Sequence, residues 1–195
     1  GDGRLTFAKP ERENCDGYAY DPEHPSQHII DMSENEIEVP EDYTREELRQ
    51  DLLCYTSPVL KEDLVLTGDM TAELYISSDA PDTDFVVRVT DVDENGRSIK
   101  LADGLLSARY RNGFAQSEFL QEGEIVCLKI RTTKLSNCFR KGHRIRVTVT
   151  SSAKNFIFPN SNTREGFASA RTVVAHNRVY HGGLHASRLT VRVEP

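Results

Sequence analysis

An all-β fold, a sandwich or barrel of about eight strands, is what this sequence predicts, and three observations carry the prediction. In HRIRVTVTSS (143–152), the apolar Ile145, Val147 and Val149 alternate with Arg144, Arg146, Thr148 and Thr150. That period turns one face to a core and the other to water. Glycine turn pairs separate such runs: Asn95-Gly96, Glu122-Gly123, Lys141-Gly142 and Gly182-Gly183. Helix signals are confined to one short stretch. Strands of this length favour two packed sheets over one open sheet with exposed edges.

In chain order, the first 20 residues are polar and read as irregular. YAYDPEHPSQHII follows, with Pro22 and Pro25, and reads as extended and turn-rich. After Pro40, Thr44 and Glu47 have the spacing of a capping box, which predicts a short helix over 45–50. The period then changes to two. Strands are expected within 51–57, 65–78, 84–93, 97–111, 124–133, 143–152, 171–180 and 187–195. Asn95-Gly96 is the best hairpin signal, since Asn and Gly accept positive φ at both turn positions. With no repeat and no low-complexity linker, 1–195 reads as one domain, with 1–50 a lead-in and 51–195 the main sandwich.

The 195 residues carry a net charge of −7, with a pI near 5.4. Nucleic acid is disfavoured as a partner, because phosphate neutralisation needs clustered Lys and Arg. Much of the acid lies in 31–51, which reads as a solvated excursion. No apolar run approaches membrane-spanning length, so no membrane partner is expected. Cys15, Cys54, Cys127 and Cys138 form no C-x-x-C pair. They read as reduced, packed thiols, which leans towards the cytoplasm.

Several constellations could carry chemistry. Asp91, Asp93, Asn95 and Gly96 match the first positions of a calcium loop, but Ala102 stands where its bidentate Glu belongs. The alternating flanks favour a hairpin turn. Asp79, Asp82 and Asp84 are better suited to capping loop N–H groups than to holding a metal. His181-Gly182-Gly183 reads as a turn, for no serine elbow follows it. His181 and His185 have zinc spacing only on a helix, and Gly182-Gly183 opposes one. No cofactor is expected. Tyr18, Tyr20, Tyr110, Tyr180, Arg109 and Arg111 could face a sugar, or belong to a core or domain interface. Ser187 beside His185, or Cys138 beside His143, could form a nucleophile pair, but neither has an orienting third residue.

Several blocks, in this order, resemble one family: YTSPVL (55–60), SSDAPDTDF (77–85), DVDENGRS (91–98), DGLLSARYR (103–111), FRKGHRIRVTVTSS (139–152), NSNT (160–163) and YHGGLHASRLTVRV (180–193). GDGRL (1–5) and YAYDPEHP (18–25) fit too. The chain resembles the C-terminal domain of the Xaa-Pro dipeptidyl-peptidase, cocaine esterase and α-amino-acid ester hydrolase group. It departs where the family often has Gly after N-x-N-T, here Arg164, and over 29–43, where many members carry Gly-Gly. The resemblance implies a jelly-roll, galactose-binding-like sandwich without catalytic residues. That sandwich would buttress an α/β-hydrolase domain of the same chain. Tyr110, Arg109, Arg111, His143, Asn160, Asn162, Tyr180 and His181 become candidates for contact with that neighbour or a ligand. An apolar patch and self-association as a homo-oligomer are also expected. A carbohydrate or small-ligand binding module is the competing reading.

Overall fold

The computed structural model describes residues 2–29 and 40–193. Residues 31–39 of the expected acidic excursion lie outside them. Twelve strands follow in order: β1 (Asp2–Arg4), β2 (Asn14–Tyr20), β3 (Leu52–Thr56), β4 (Leu64–Gly68), β5 (Thr71–Ser78) and β6 (Asp84–Val92), then β7 (Ser98–Ser107), β8 (Val126–Arg131), β9 (Leu135–Phe139), β10 (Arg144–Thr150), β11 (Ala175–His181) and β12 (Arg188–Thr190).

The first sheet has the order β1-β3-β10-β6-β7; only β1 and β3 pair in parallel. In the second, β8 runs beside residues 71–76 of β5. The other edge of β5 is shared by β11, at residues 75–78, and β12, at residues 71–73. β2 completes this sheet beside β11. β4 and β9 form a separate ribbon. The inward faces make the core: Phe85, Val87 and Val89 of β6 and Val147 and Val149 of β10 meet Leu74, Ile76, Leu128 and Val179. This is the all-β sandwich that the alternating pattern predicts.

The outward face of β6 is also buried, because residues 26–28 and 41–48 lie over it. Arg88 is 1% exposed, with its guanidinium carbon 3.7 Å from the centre of the Tyr43 ring. Such stacking suits a cation withdrawn from water. The Glu47 carboxylate, also buried, accepts from Arg146 Nη1 at 2.6 Å and Ser98 Oγ at 2.8 Å.

Four local expectations need correction. The capping box does not form. Thr44 Oγ1 donates to Asp42 at 2.6 Å, Glu47 turns to Arg146, and only a 3-10 turn remains, Glu46–Leu48. Tertiary ion pairing outweighs a local cap. In the 93–97 turn only Gly96 has positive φ, at 83°. Asp93 Oδ1 accepts the Asn95 and Arg97 N–H groups at 2.8 and 2.9 Å, which makes a longer, bulged loop. The single strand expected over 65–78 breaks at Gly68, whose φ is 107°. The first 20 residues, read as irregular, include β1 and β2; Tyr18 and Tyr20 are core residues.

Candidate docking face

Three loops meet at one end of the sandwich, where β5 ends and β6 begins: 79–83, 108–119 and 156–174. The Asp82 side chain, fully buried, ties them together. Its Oδ1 accepts the Arg109 N–H at 3.0 Å. Its Oδ2 accepts Arg109 Nε at 2.7 Å and Asn160 Nδ2 at 2.7 Å. The other end of Arg109 reaches the third loop, donating to the carbonyls of Thr163 at 3.0 Å and Arg164 at 3.1 Å. One side chain thus fastens two loops to a third with a planar, charge-assisted fork.

Asn160 Nδ2 also donates to Asp84 at 2.9 Å, and its Oδ1 accepts the Asn162 N–H at 2.9 Å. Burial pushes the Asp84 carboxyl above its ordinary value, against the pull of Ser107 and Asn160. Asn162 takes the left-handed conformation, φ 62°, and donates to the Val173 carbonyl at 2.6 Å. Gly166, φ 63°, packs under Arg109: a methyl group there would lie 3.2 Å from Nη2. A φ in this region and so little room favour glycine.

Apolar side chains stand in solvent on these fastened loops. Phe158 is 83% exposed and Phe167 82%, with their rings stacked at 6.4 Å between centres. Phe114, 80% exposed, lies 5.6 Å from the half-buried Tyr110 ring. Val173 and Val174 add to the surface. Exposed aromatics clustered on rigid loops mark an interaction surface.

Of the residues singled out from sequence, this end gathers Arg109, Tyr110, Arg111, Asn160 and Asn162. Arg111 Nη1 donates to the carbonyls of Ala108 and Glu118, shaping the 108–119 loop. The other three lie elsewhere. His143 Nδ1 pairs with Asp91 at 2.9 Å, at the far end of β6. Tyr180 bonds Ser77 at 3.0 Å, and His181 Nε2 sits 3.2 Å from Asp16. Sequence reasoning passed over Phe114, Phe158 and Phe167. Their signal was large apolar residues inside polar, turn-rich stretches such as FIFPNSNTREGF.

The candidate chemistries are distributed otherwise. Asp93 caps its own turn while Asp91 faces His143, and among the described residues no three His, Cys, Asp or Glu side chains gather to hold a metal. Ser187 Oγ accepts the Tyr75 N–H at 2.9 Å, while His185 faces Glu13 at 3.1 Å. Cys138 lies against Asp63, at 3.9 Å, and not against His143. The hydroxyls of Tyr18 and Tyr20 are tied to Ser151 and the Asn160 carbonyl, so these rings do not join Tyr110 on an exposed face.

Comparison with known proteins gives one answer. Residues 1–190 match the family model of the X-Pro dipeptidyl-peptidase C-terminal non-catalytic domain. The cocaine esterase of Rhodococcus sp. (strain MB1 Bresler) is 34% identical over 200 residues, covering 99% of this chain and 34% of that protein. The crystal structure of an aminopeptidase from the marine sediment archaeon Thaumarchaeota archaeon superposes with a TM-score of 0.92 at 25% identity, over 100% of this chain and 35% of that one. An α-amino acid ester hydrolase shares the fold, with a TM-score of 0.92 at 23% identity, over 98% of this chain and 35% of that one. The chain thus spans about a third of the length of these relatives. Fold, ordered sequence blocks and comparisons agree that the chain belongs to the X-Pro dipeptidyl-peptidase C-terminal non-catalytic domain family.

Proposed function

We propose that residues 1–195 form one accessory domain of a serine hydrolase, and that the 79–83, 108–119 and 156–174 loops are the face on which its catalytic α/β-hydrolase domain packs. The observation that carries this reading is the pair of stacked, exposed rings of Phe158 and Phe167 on loops locked by the buried Asp82–Arg109–Asn160 hub. A wall that positions a neighbouring catalytic site must be stiff, because small misplacements of reacting groups are costly. The hub supplies stiffness, and the aromatics supply area to bury. The partner is the same chain, since relatives carry about twice as much sequence again outside the matched region. The parent then cleaves an ester or amide through an acyl-serine intermediate.

The test uses a fluorophosphonate serine probe on the 195-residue chain and on a parent of full length. Label on the parent alone is expected. Heat-sensitive label on the 195-residue chain would refute the accessory role. Phe158→Asp/Phe167→Asp in the parent should split its thermal unfolding into two transitions and open the junction to protease. A single transition at the wild-type temperature would remove this face from the interface.

A further inference from the structure

One motif of the sequence, HGGLH (181–185), takes no part in the loop face. Its glycines turn the chain sharply at the end of β11, with φ of 80° at Gly182 and 53° at Gly183. A methyl group at Gly182 would collide with the Arg12 carbonyl, so the turn lies directly on residues 10–13. Those residues belong to the crossing from β1, in the first sheet, to β2, in the second. Two backbone donors join turn and crossing. The Gly183 N–H donates to the Pro10 carbonyl at 3.3 Å, and the Leu184 N–H to Glu13 Oε2 at 3.2 Å. The histidines at the two ends of the motif face carboxylates of the same stretch. His181 Nε2 lies 3.2 Å from Asp16 Oδ2, which also accepts the Tyr55 hydroxyl at 3.1 Å. The His185 ring stands edge-on to Tyr75 and Tyr180, with centres 5.4 and 6.0 Å away. Its Nδ1, shut off from water and without a hydrogen bond, lies 3.1 Å from Glu13 Oε2. That contact is attractive only when the imidazole carries charge.

We infer that the HGGLH turn is an acid-tightened clasp: with both imidazoles protonated it holds residues 10–16 to the second sheet, and with both neutral it lets that crossing loosen. Protonation places two positive charges beside Asp16 and Glu13. Their attraction is complete below the ordinary histidine value of about 6.5 and is lost as pH rises through the titration. Other charged groups surround the clasp. Arg4, Lys9, Glu11 and Arg12 border the same surface depression as His181. Arg188, three residues beyond His185, is paired with Glu73, as is Lys129. Guanidinium, ammonium and carboxylate groups keep their charge between pH 6 and 8, so they set no step there. Cys15 stands opposite Tyr180 on β2, and the test leaves it in place.

The test is hydrogen–deuterium exchange read by mass spectrometry on the 195-residue chain, or on the full-length parent if that chain does not fold alone. Exchange times are scaled to the intrinsic rate at each pH. From pH 6 to pH 8, protection of the peptide spanning 181–187 should fall about two- to tenfold, the range two partly exposed ion pairs supply. In His181→Asn/His185→Asn the fall should vanish, with protection at the lower, pH 8 level throughout. Glu13→Gln keeps an acceptor for the Leu184 N–H but no charge, so it should shrink the fall. His143→Asn, whose ring faces Asp91 at the far end of β6, should leave the fall intact. Equal protection of the wild type at pH 6 and 8 would overturn the inference. An undiminished fall in the double variant would overturn it too, since the titrating group would then be another. If the double variant does not fold, as loss of protection across β6 would reveal, Glu13→Gln decides, and an undiminished fall there has the same meaning.

Discussion

Asp82→Ala should destabilise the chain by about 3–5 kcal/mol, the range for removing one partner of a buried ion pair. The Asp82 side chain is 0% exposed and Arg109's is 13% exposed, so water cannot readily replace the lost carboxylate. Three donors lose their acceptor together: the Arg109 N–H, Arg109 Nε and Asn160 Nδ2. Their individual contributions do not add, because the three share one network. For a chain of this size each kcal/mol moves Tm by about 2–4 °C. The expected fall is therefore about 6–20 °C. Urea denaturation followed by circular dichroism, with calorimetry alongside, gives both numbers. Asp63→Ala is the control, because the Asp63–Arg140 pair is 46% and 68% exposed and should hardly register. Asp82→Asn, which keeps an acceptor, should fall between. If Asp82→Ala is no worse than Asp63→Ala, the hub does not fasten the loops and the argument for a rigid face fails.

Four further outcomes follow from the same geometry. Burial raises the Asp84 carboxyl above its ordinary 3.8, so the folded state favours the protonated form. Its contribution is complete below the unfolded value and is lost as pH rises through the folded one; urea midpoints measured from pH 3 to 7 should show Asp84→Asn gaining on wild type over that rise. Gly166→Ala should cost about 1–2 kcal/mol from the left-handed φ, with further loss from contact with Arg109, read by urea denaturation. Phe85→Ala, at a fully buried core position, should cost about 3–5 kcal/mol, again by denaturant midpoint. Phe158→Ser/Phe167→Ser should shift the 195-residue chain towards monomer in sedimentation velocity without lowering Tm, because both rings are exposed.

The strands were legible where one face is buried and the other wet. β11 follows that rule, its alternate residues buried and exposed, whereas β10 keeps the period-two apolar pattern but not the wet face expected of it, since Thr148 and Thr150 are buried under the covering segment. β2 was not legible. Its sequence, NCDGYAY, mixes polar and small residues, and its place beside β11 depends on partners 155 to 167 positions away. The capping box misled for a related reason, since the carboxylate of Glu47 finds Arg146 across 99 positions. At the candidate face, the polar blocks SSDAPDTDF and NSNT were visible as motifs. Their meeting through Asp82 and Asn160 was not, because neither spacing nor periodicity encodes a contact between loops 78 residues apart.

The covered outer face of β6 bears on how this molecule could be cut. A division at residue 50, between lead-in and sandwich, is natural on paper. It would strip Tyr43 from Arg88 and Glu47 from Arg146, and would remove β2 from its sheet. A trimmed 51–195 would present a bare guanidinium on a formerly dry surface and an unprotected strand edge. Such a product invites aggregation, so expression trials should retain the first fifty residues.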